Sequence, residues 1–276
     1  MSVPPADEAF VALLNEAGLA AESIAFGATT LGRANYAHRG YYIQAFFSLS
    51  VGLERCGKLV LALDHALDTG GVFPTKKQLK KYGHDLEALL VKADAVSAKR
   101  SIGAARPDTA IHQGIVSTLT DFANNVTRYY NLELIGGDPT ALSQASPIAA
   151  WYQTVVRPIA DAHYSTKRRE AAEARARQIE FMTAGTMSVR HYTEEAGLIN
   201  SVFEGSRRTA ERDAVIPWER MYVLQFGRYF GSILRDLSNA AQSAGLLVPY
   251  LSEFFAIFNN PDSYFRQRKG WSIYRP

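Results

Sequence analysis

The stretch from Gly40 to Gly83 constrains this chain more than any other. From Tyr41 it reads YYIQAFFSLSVGLERCGKLVLALDHALDTGGVFPTKKQLKKYG and continues into HDLEALL. Between Tyr41 and Leu67 apolar residues fall on almost every side of a helical wheel, so this helix has to lie at the centre of a bundle. Gly70 and Gly71 end it. Thr75 with Gln78 three residues on forms a capping box for a short second helix. Gly83 stops that helix, and Asp85 caps a third that runs to about Lys99. One polar stripe is threaded through the central helix: Glu54, Lys58 and His65 project within about 40° of one another at ~100° per residue.

Elsewhere apolar residues recur at three and four and not at two, so the fold class expected is all-α, a helical bundle followed by a second helical region. A leading helix is expected from about Asp7 to Ala25, followed by a Gly/Thr-rich link. A helix from Thr109 to Asn131 carries Ile115, Leu119, Phe122, Val126 and Tyr129 as its core stripe. Further helices are expected near Ala149 to Tyr164, through KRREAAEARARQIEF, from Trp218 to Ser243, and just before Asn259. The stretch from Thr183 to Pro217 is less regular and leaves room for short strands. The Gly/Pro/Ser-rich loop from Ile135 to Pro147 is the best boundary. It divides the chain into 1–39 (leading helix and link), 40–134 (bundle) and 148–276 (a C-terminal helical region with a basic aromatic tail).

With 47% hydrophobic and 21% charged residues in 276, the composition is that of a soluble globular protein. A net charge of +3 gives no global argument for nucleic acid. Arg outnumbers Lys, which suits bidentate phosphate contacts and equally follows from a GC-rich genome. The lone cysteine, Cys56, lies in the apolar helix and points to a reducing cytoplasm. The opening MSVPPADEAF lacks the features of a signal peptide. Uninterrupted apolar runs such as Leu59 to Leu63 fall far short of the ~20 residues of a membrane span. A cytoplasmic location away from membranes is therefore expected. Metal-ligand spacing, a P-loop, a nucleophile elbow and a dinucleotide fingerprint are all lacking, so neither cofactor nor metal is expected.

The pattern Leu53-Glu54 with Lys58, a link containing Pro74, then Gly83-His84-Asp85-Leu86 resembles the HEPN superfamily of small helical bundles, over about residues 41–134. The resemblance implies a bundle that serves in many members as a metal-independent RNase, toxin or phage-defence effector. In other members it serves as a binding or dimerisation module. Active members carry Arg, commonly followed by Asn, and then His a short interval on, near the last helix. Here that place is filled by Ala123-Asn124-Asn125-Val126-Thr127-Arg128-Tyr129-Tyr130. The Arg has become Ala123 and the His has become Arg128. RNA cleavage without a metal needs a proton carrier near neutral pH and a cation for the phosphate. Arg128 supplies the cation, but with a pKa above ~12 it cannot carry the proton.

The Arg/His spacing recurs at Arg33/His38, Arg106/His112 and Arg157/His163. Arg106 and His112 are the best placed as a displaced catalytic pair, although Pro107 sets them across a turn. Glu54, Lys58 and His65 form either an ordinary ion pair one helical turn apart with the histidine capping the end, or a buried polar cluster facing a site. His84, in the Gly83-His84-Asp85-Leu86 pattern, is counted with Glu54 and Lys58 as a binding residue. Ser117, Asn124, Arg128 and Asn131 make a polar stripe. It is either solvated surface or a groove where Arg128 holds a phosphate and Tyr129 or Tyr130 stacks on a base. KRREAAEARAR reads as a solvated helix, and Arg228 with Arg235 forms a basic edge. The tail interleaves Arg266, Arg268, Lys269 and Arg275 with Tyr264, Trp271 and Tyr274, which fits either single-strand binding or docking back onto the body. Three functions stay open. The first is a nucleic-acid-linked or defence-associated protein that binds or regulates a partner through a degenerate site. The second is a metal-independent RNase using a displaced site, with His112 or His163 as the proton carrier and Arg106, Arg157 or Arg128 on the phosphate. The third is a homodimerisation or interaction module without nucleic acid. Partners accordingly range from RNA or single-stranded nucleic acid to a partner protein or a second copy.

Overall fold

A computed structural model describes residues 8–124 and 126–273, and the fold is all-α. Helix α1 spans Glu8–Leu31 and α2 Gly40–Asp68. They are followed by α3 (Lys76–Lys81), α4 (Leu86–Lys99) and α5 (Ala110–Ala123). Two short helices, α6 (Tyr130–Ile135) and α7 (Pro139–Ser143), lead into α8 (Pro147–Trp151). A π-helical turn over Tyr152–Val156 joins α8 to α9 (Arg157–His163). Then come α10 (Thr166–Thr183), a two-residue hairpin of β1 (His191–Tyr192) and β2 (Leu198–Ile199), and the 42-residue α11 (Val202–Ser243). The strands pair antiparallel, with His191 opposite Ile199. Helices α12 (Ser252–Phe255) and α13 (Asp262–Gln267) close the described chain.

The expected central helix is α2, buried at Tyr42, Phe46, Leu49, Leu53, Cys56, Val60 and Leu63. Small residues on α1 (Ala17, Ala20, Ala21, Ala25, Ala28) let it lie close along α2. A Cβ on Gly52 would already meet the Ile24 backbone nitrogen at 3.0 Å. By length and composition α1 is apolar enough to cross a membrane, a feature that a search for uninterrupted apolar runs passes over. One continuous apolar cluster extends from Leu13 through α2, α4, α5, α8, α9 and α11 to Trp271. The segments 1–39, 40–134 and 148–276 therefore share a core.

Four expected helices have different bounds. The first of them, α1, continues past Ala25 to Leu31, into the expected link. Helix α5 ends at Ala123 with Asn124 as its C-cap, not at Asn131. Ile115, Leu119 and Phe122 are buried as expected, whereas Val126 and Tyr129 are 45% and 54% exposed. The expected helix over 149–164 is broken by the π turn, which precedes Pro158 and absorbs its missing N–H. Helix α11 begins at Val202 and runs straight through Pro217. An interior proline removes one helical hydrogen bond, but Ala214, Val215, Glu219 and Arg220 are buried around it, and that packing outweighs the local loss.

Candidate functional site

The turn at Gly83 brings His84 back onto α2. Its Nδ1 lies 2.9 Å from Glu54 Oε1, and Lys58 Nζ donates to the same oxygen at 2.6 Å. Glu54, Lys58 and His84 thus form one cluster, with no hydrogen bond from the His65 ring among the described residues. The cluster anchors one end of α3, whose other end is fixed by the capping box of Thr75 and Gln78.

What this anchored helix presents is basic. Lys76, Lys77, Lys80 and Lys81 are all exposed, and none of the four forms an ion pair among the described residues. Between Asp68 and Asp85 the sequence holds no carboxylate side chain at all. Lys76/Lys80 and Lys77/Lys81 are like-charge pairs four apart, which weaken a helix. Lys76 and Lys77 also oppose the positive end of the helix dipole. Helix stability alone therefore does not account for these residues. Close by, Lys92 Nζ donates to the Tyr82 carbonyl at 3.4 Å. The signal was present in KKQLKK, where capping residues draw the eye before the unopposed charge.

Arg106 and His112 face different ways. The Arg106 guanidinium pairs with Glu87 at 2.6 Å and Asp94 at 3.4 Å, both carboxylates on α4. His112 takes the third helical position of the α5 capping box. The Thr109 backbone N–H donates to its Nδ1 at 3.1 Å, which puts the ring proton on Nε2, 2.7 Å from Gln225 Oε1. Gln225 Nε2 donates onward to Asp262 Oδ2 at 3.0 Å, and Asp262 pairs with Arg228. One ring nitrogen of this buried histidine thus caps α5 itself, and the other ties α5 through Gln225 to α11 and α13. The wide cleft beside it, about 790 Å³, lies between the start of α5, α11 and α12, with Arg235 at its rim.

The stripe around Arg128 is also turned inward at its cation. The guanidinium lies 4.7 Å from the Phe47 ring and 5.4 Å from Phe122. Asn124 and Asn131 are exposed, Tyr129 is exposed and Tyr130 half-buried. Val126, Tyr129, Leu132, Leu134, Ile135 and Leu142 are all exposed too, an apolar patch running from the end of α5 to α7. Arg157 reaches Glu195, while His163 stacks on Trp218 at 3.6 Å and bonds the Tyr222 hydroxyl at 3.0 Å. The tail docks back: Trp271 is buried against Tyr264 and Phe265, and its backbone N–H donates to Thr29 Oγ1 at 2.8 Å. Tyr274 and Arg275 lie outside the described residues. Among the described residues there is no His/Cys/Asp/Glu group able to hold a metal ion.

Burial holds the pKa of His112 below the ordinary histidine value, with Gln225, Asp108 and Asp262 opposing it more weakly, and burial does the same for His163. The unfolded chain therefore takes up these protons first as pH falls through ~6.5. The neutral rings stabilise the fold fully above that range, and stability is lost progressively below it. The melting temperature is expected to drop between about pH 7.5 and about pH 5. In His112→Gln, which keeps a capping side chain and removes the titration, the decline should be shallower. A decline as steep as the unmodified protein's would show that His112 is not its source.

No family model, no curated protein and no solved structure matches this chain.

Proposed function

We propose that this is a HEPN-like binding protein with a degenerate catalytic site, which holds single-stranded nucleic acid on α3 and does not cleave it. The observation that carries the reading is the set of four unpaired lysines on a helix clamped at both ends. Phosphates condense counterions, and cations that displace them gain affinity whatever the sequence. Tyr82, half-buried beside them, offers a ring for base stacking. Against cleavage stand the occupied ring nitrogens of His112 and the two carboxylates on Arg106, which leave that pair without a proton carrier beside a free cation. The resemblance adds a defence or toxin setting, in which such a protein would bind or regulate a partner.

Filter binding of mixed-sequence RNA and single-stranded DNA, in EDTA and across a salt series, tests this. Binding should weaken steeply with salt. Changing all four lysines to Gln should make the slope of log K against log salt shallower by about 3, since each single-strand contact contributes ~0.7. An unchanged slope removes α3 from the interface. RNA cleavage in EDTA that disappears in His112→Ala would restore the RNase reading in its place.

A further inference from the structure

A second basic cleft, of about 530 Å³, lies between the end of α1, the middle of α11 and the segment after α13. Arg220 forms its inner wall. This side chain is only 4% exposed, yet among the described residues its one hydrogen bond is from Nη2 to the Arg266 carbonyl at 3.1 Å. Its Nε is buried and has no hydrogen-bond partner among the described residues. The neighbouring carboxylate, Glu219, is engaged elsewhere, 2.6 Å from Arg212 and 2.5 Å from Trp151 Nε1. Nη1 faces the cleft wall at Gly32, where an added Cβ would lie 3.2 Å from it. A guanidinium has five N–H donors, and one so buried with so few acceptors is costly unless something completes it.

The rest of the cleft supplies what an anion needs. Arg33 and Lys269 line it, both exposed and in no ion pair among the described residues. Thr29 lines it too, but its hydroxyl is already used by Trp271 and the Ala25 carbonyl. One acid, Asp213, stands at the rim against three cations. Burial pulls the Arg220 pKa below its ordinary value, with Glu219 opposing that shift and the Arg212 charge adding to it.

We propose that this cleft binds an oxyanion, a phosphate group, on the Arg220 guanidinium with Arg33 and Lys269 closing over it. Planar guanidinium donors match phosphate oxygens bidentately. The source is either free phosphate or a phosphate monoester, which share this chemistry. The proposal is independent of nucleic-acid binding at α3.

Calorimetry and thermal melts with inorganic phosphate, against chloride at equal ionic strength, provide the test. Phosphate should bind saturably and raise the melting temperature beyond chloride. The double variant Arg33→Ala with Lys269→Ala, both at exposed positions, should bind at least about tenfold more weakly, a loss of ~1.4 kcal/mol. Arg220→Gln should lose binding as well. Adenosine monophosphate serves as the ester arm. Binding tighter than phosphate's, and equally sensitive to Arg33 and Lys269, assigns an ester; equal affinity assigns the free oxyanion. No rise beyond chloride, or an equal rise in the double variant, overturns the proposal. The α3 lysine variant should keep the full phosphate effect; losing it would place the anion on α3 and overturn the cleft assignment.

Discussion

Replacing Glu219 with Ala is expected to cost about 3–5 kcal/mol of stability, the usual loss when one partner of a buried pair is removed. Glu219 is fully buried, and Arg212, seven residues earlier on the same face of α11, is 5% exposed. Arg212 also donates from Nε to the Ala34 carbonyl at 2.7 Å and from Nη2 to the Leu31 carbonyl at 2.9 Å. Glu219 in turn accepts from Trp151 Nε1. The pair therefore fastens α11 to the end of α1 and to α8 at once. Its guanidinium lies 5.2 Å from the Tyr42 ring, and nearby carboxylates hold its pKa above the ordinary arginine value despite burial. Without Glu219 the buried cation loses the carboxylate it pairs with directly, and Glu194 is left to act on it from farther off. Urea midpoints measure the effect. Glu219→Gln should fall between the two, and Arg212→Met combined with Glu219→Leu should recover much of the loss, because an apolar pair avoids the desolvation penalty. A loss under about 1 kcal/mol in Glu219→Ala would mean that the pair is solvated.

Gly114→Val is the second change with a large expected effect. On α5 a Cβ at this position would lie 2.5 Å from the Thr154 carbonyl oxygen and 3.0 Å from its carbonyl carbon. Both are backbone atoms of the π turn, so no side chain can swing aside to make room. Relief requires moving the turn away from α5, opening the contact that carries Ile115 and Val155 in the core. About 3 kcal/mol is expected, the upper end of ordinary overpacking. Gly103→Val provides the control, since nothing lies within 4 Å of its added Cβ. Equal denaturation midpoints for the two variants would refute the close approach.

What could be read from the sequence was what local chemistry determines. The α2 helix, the Thr75/Gln78 box, the stop at Gly83 and the Asp85 cap rest on neighbouring residues and have the expected geometry. Features set by distant packing were not legible. Pro217 argued for a helix start, and only the burial around it carries α11 through. Arg106 and His112 are close in sequence, but Glu87 and Gln225, far along the chain, determine where each points. Glu219 did leave a trace: it interrupts the apolar stripe of Val215, Val223, Phe226 and Phe230, so the carboxylate occupies a core position. The lysines of α3 were visible as residues; their lack of partners was not.

The hydrogen bond between Thr29 and Trp271 joins residues 242 positions apart. It lies beside the cleft that Arg33 and Lys269 both line, so these two cations come from opposite regions of the chain. Phosphate affinity is thereby coupled to a long-range closure. Local fraying of the segment after α13 would remove Lys269 from the cleft while α2 stays packed. Ligand binding at that seam would act as a clasp, drawing the two regions of the chain together from outside the core.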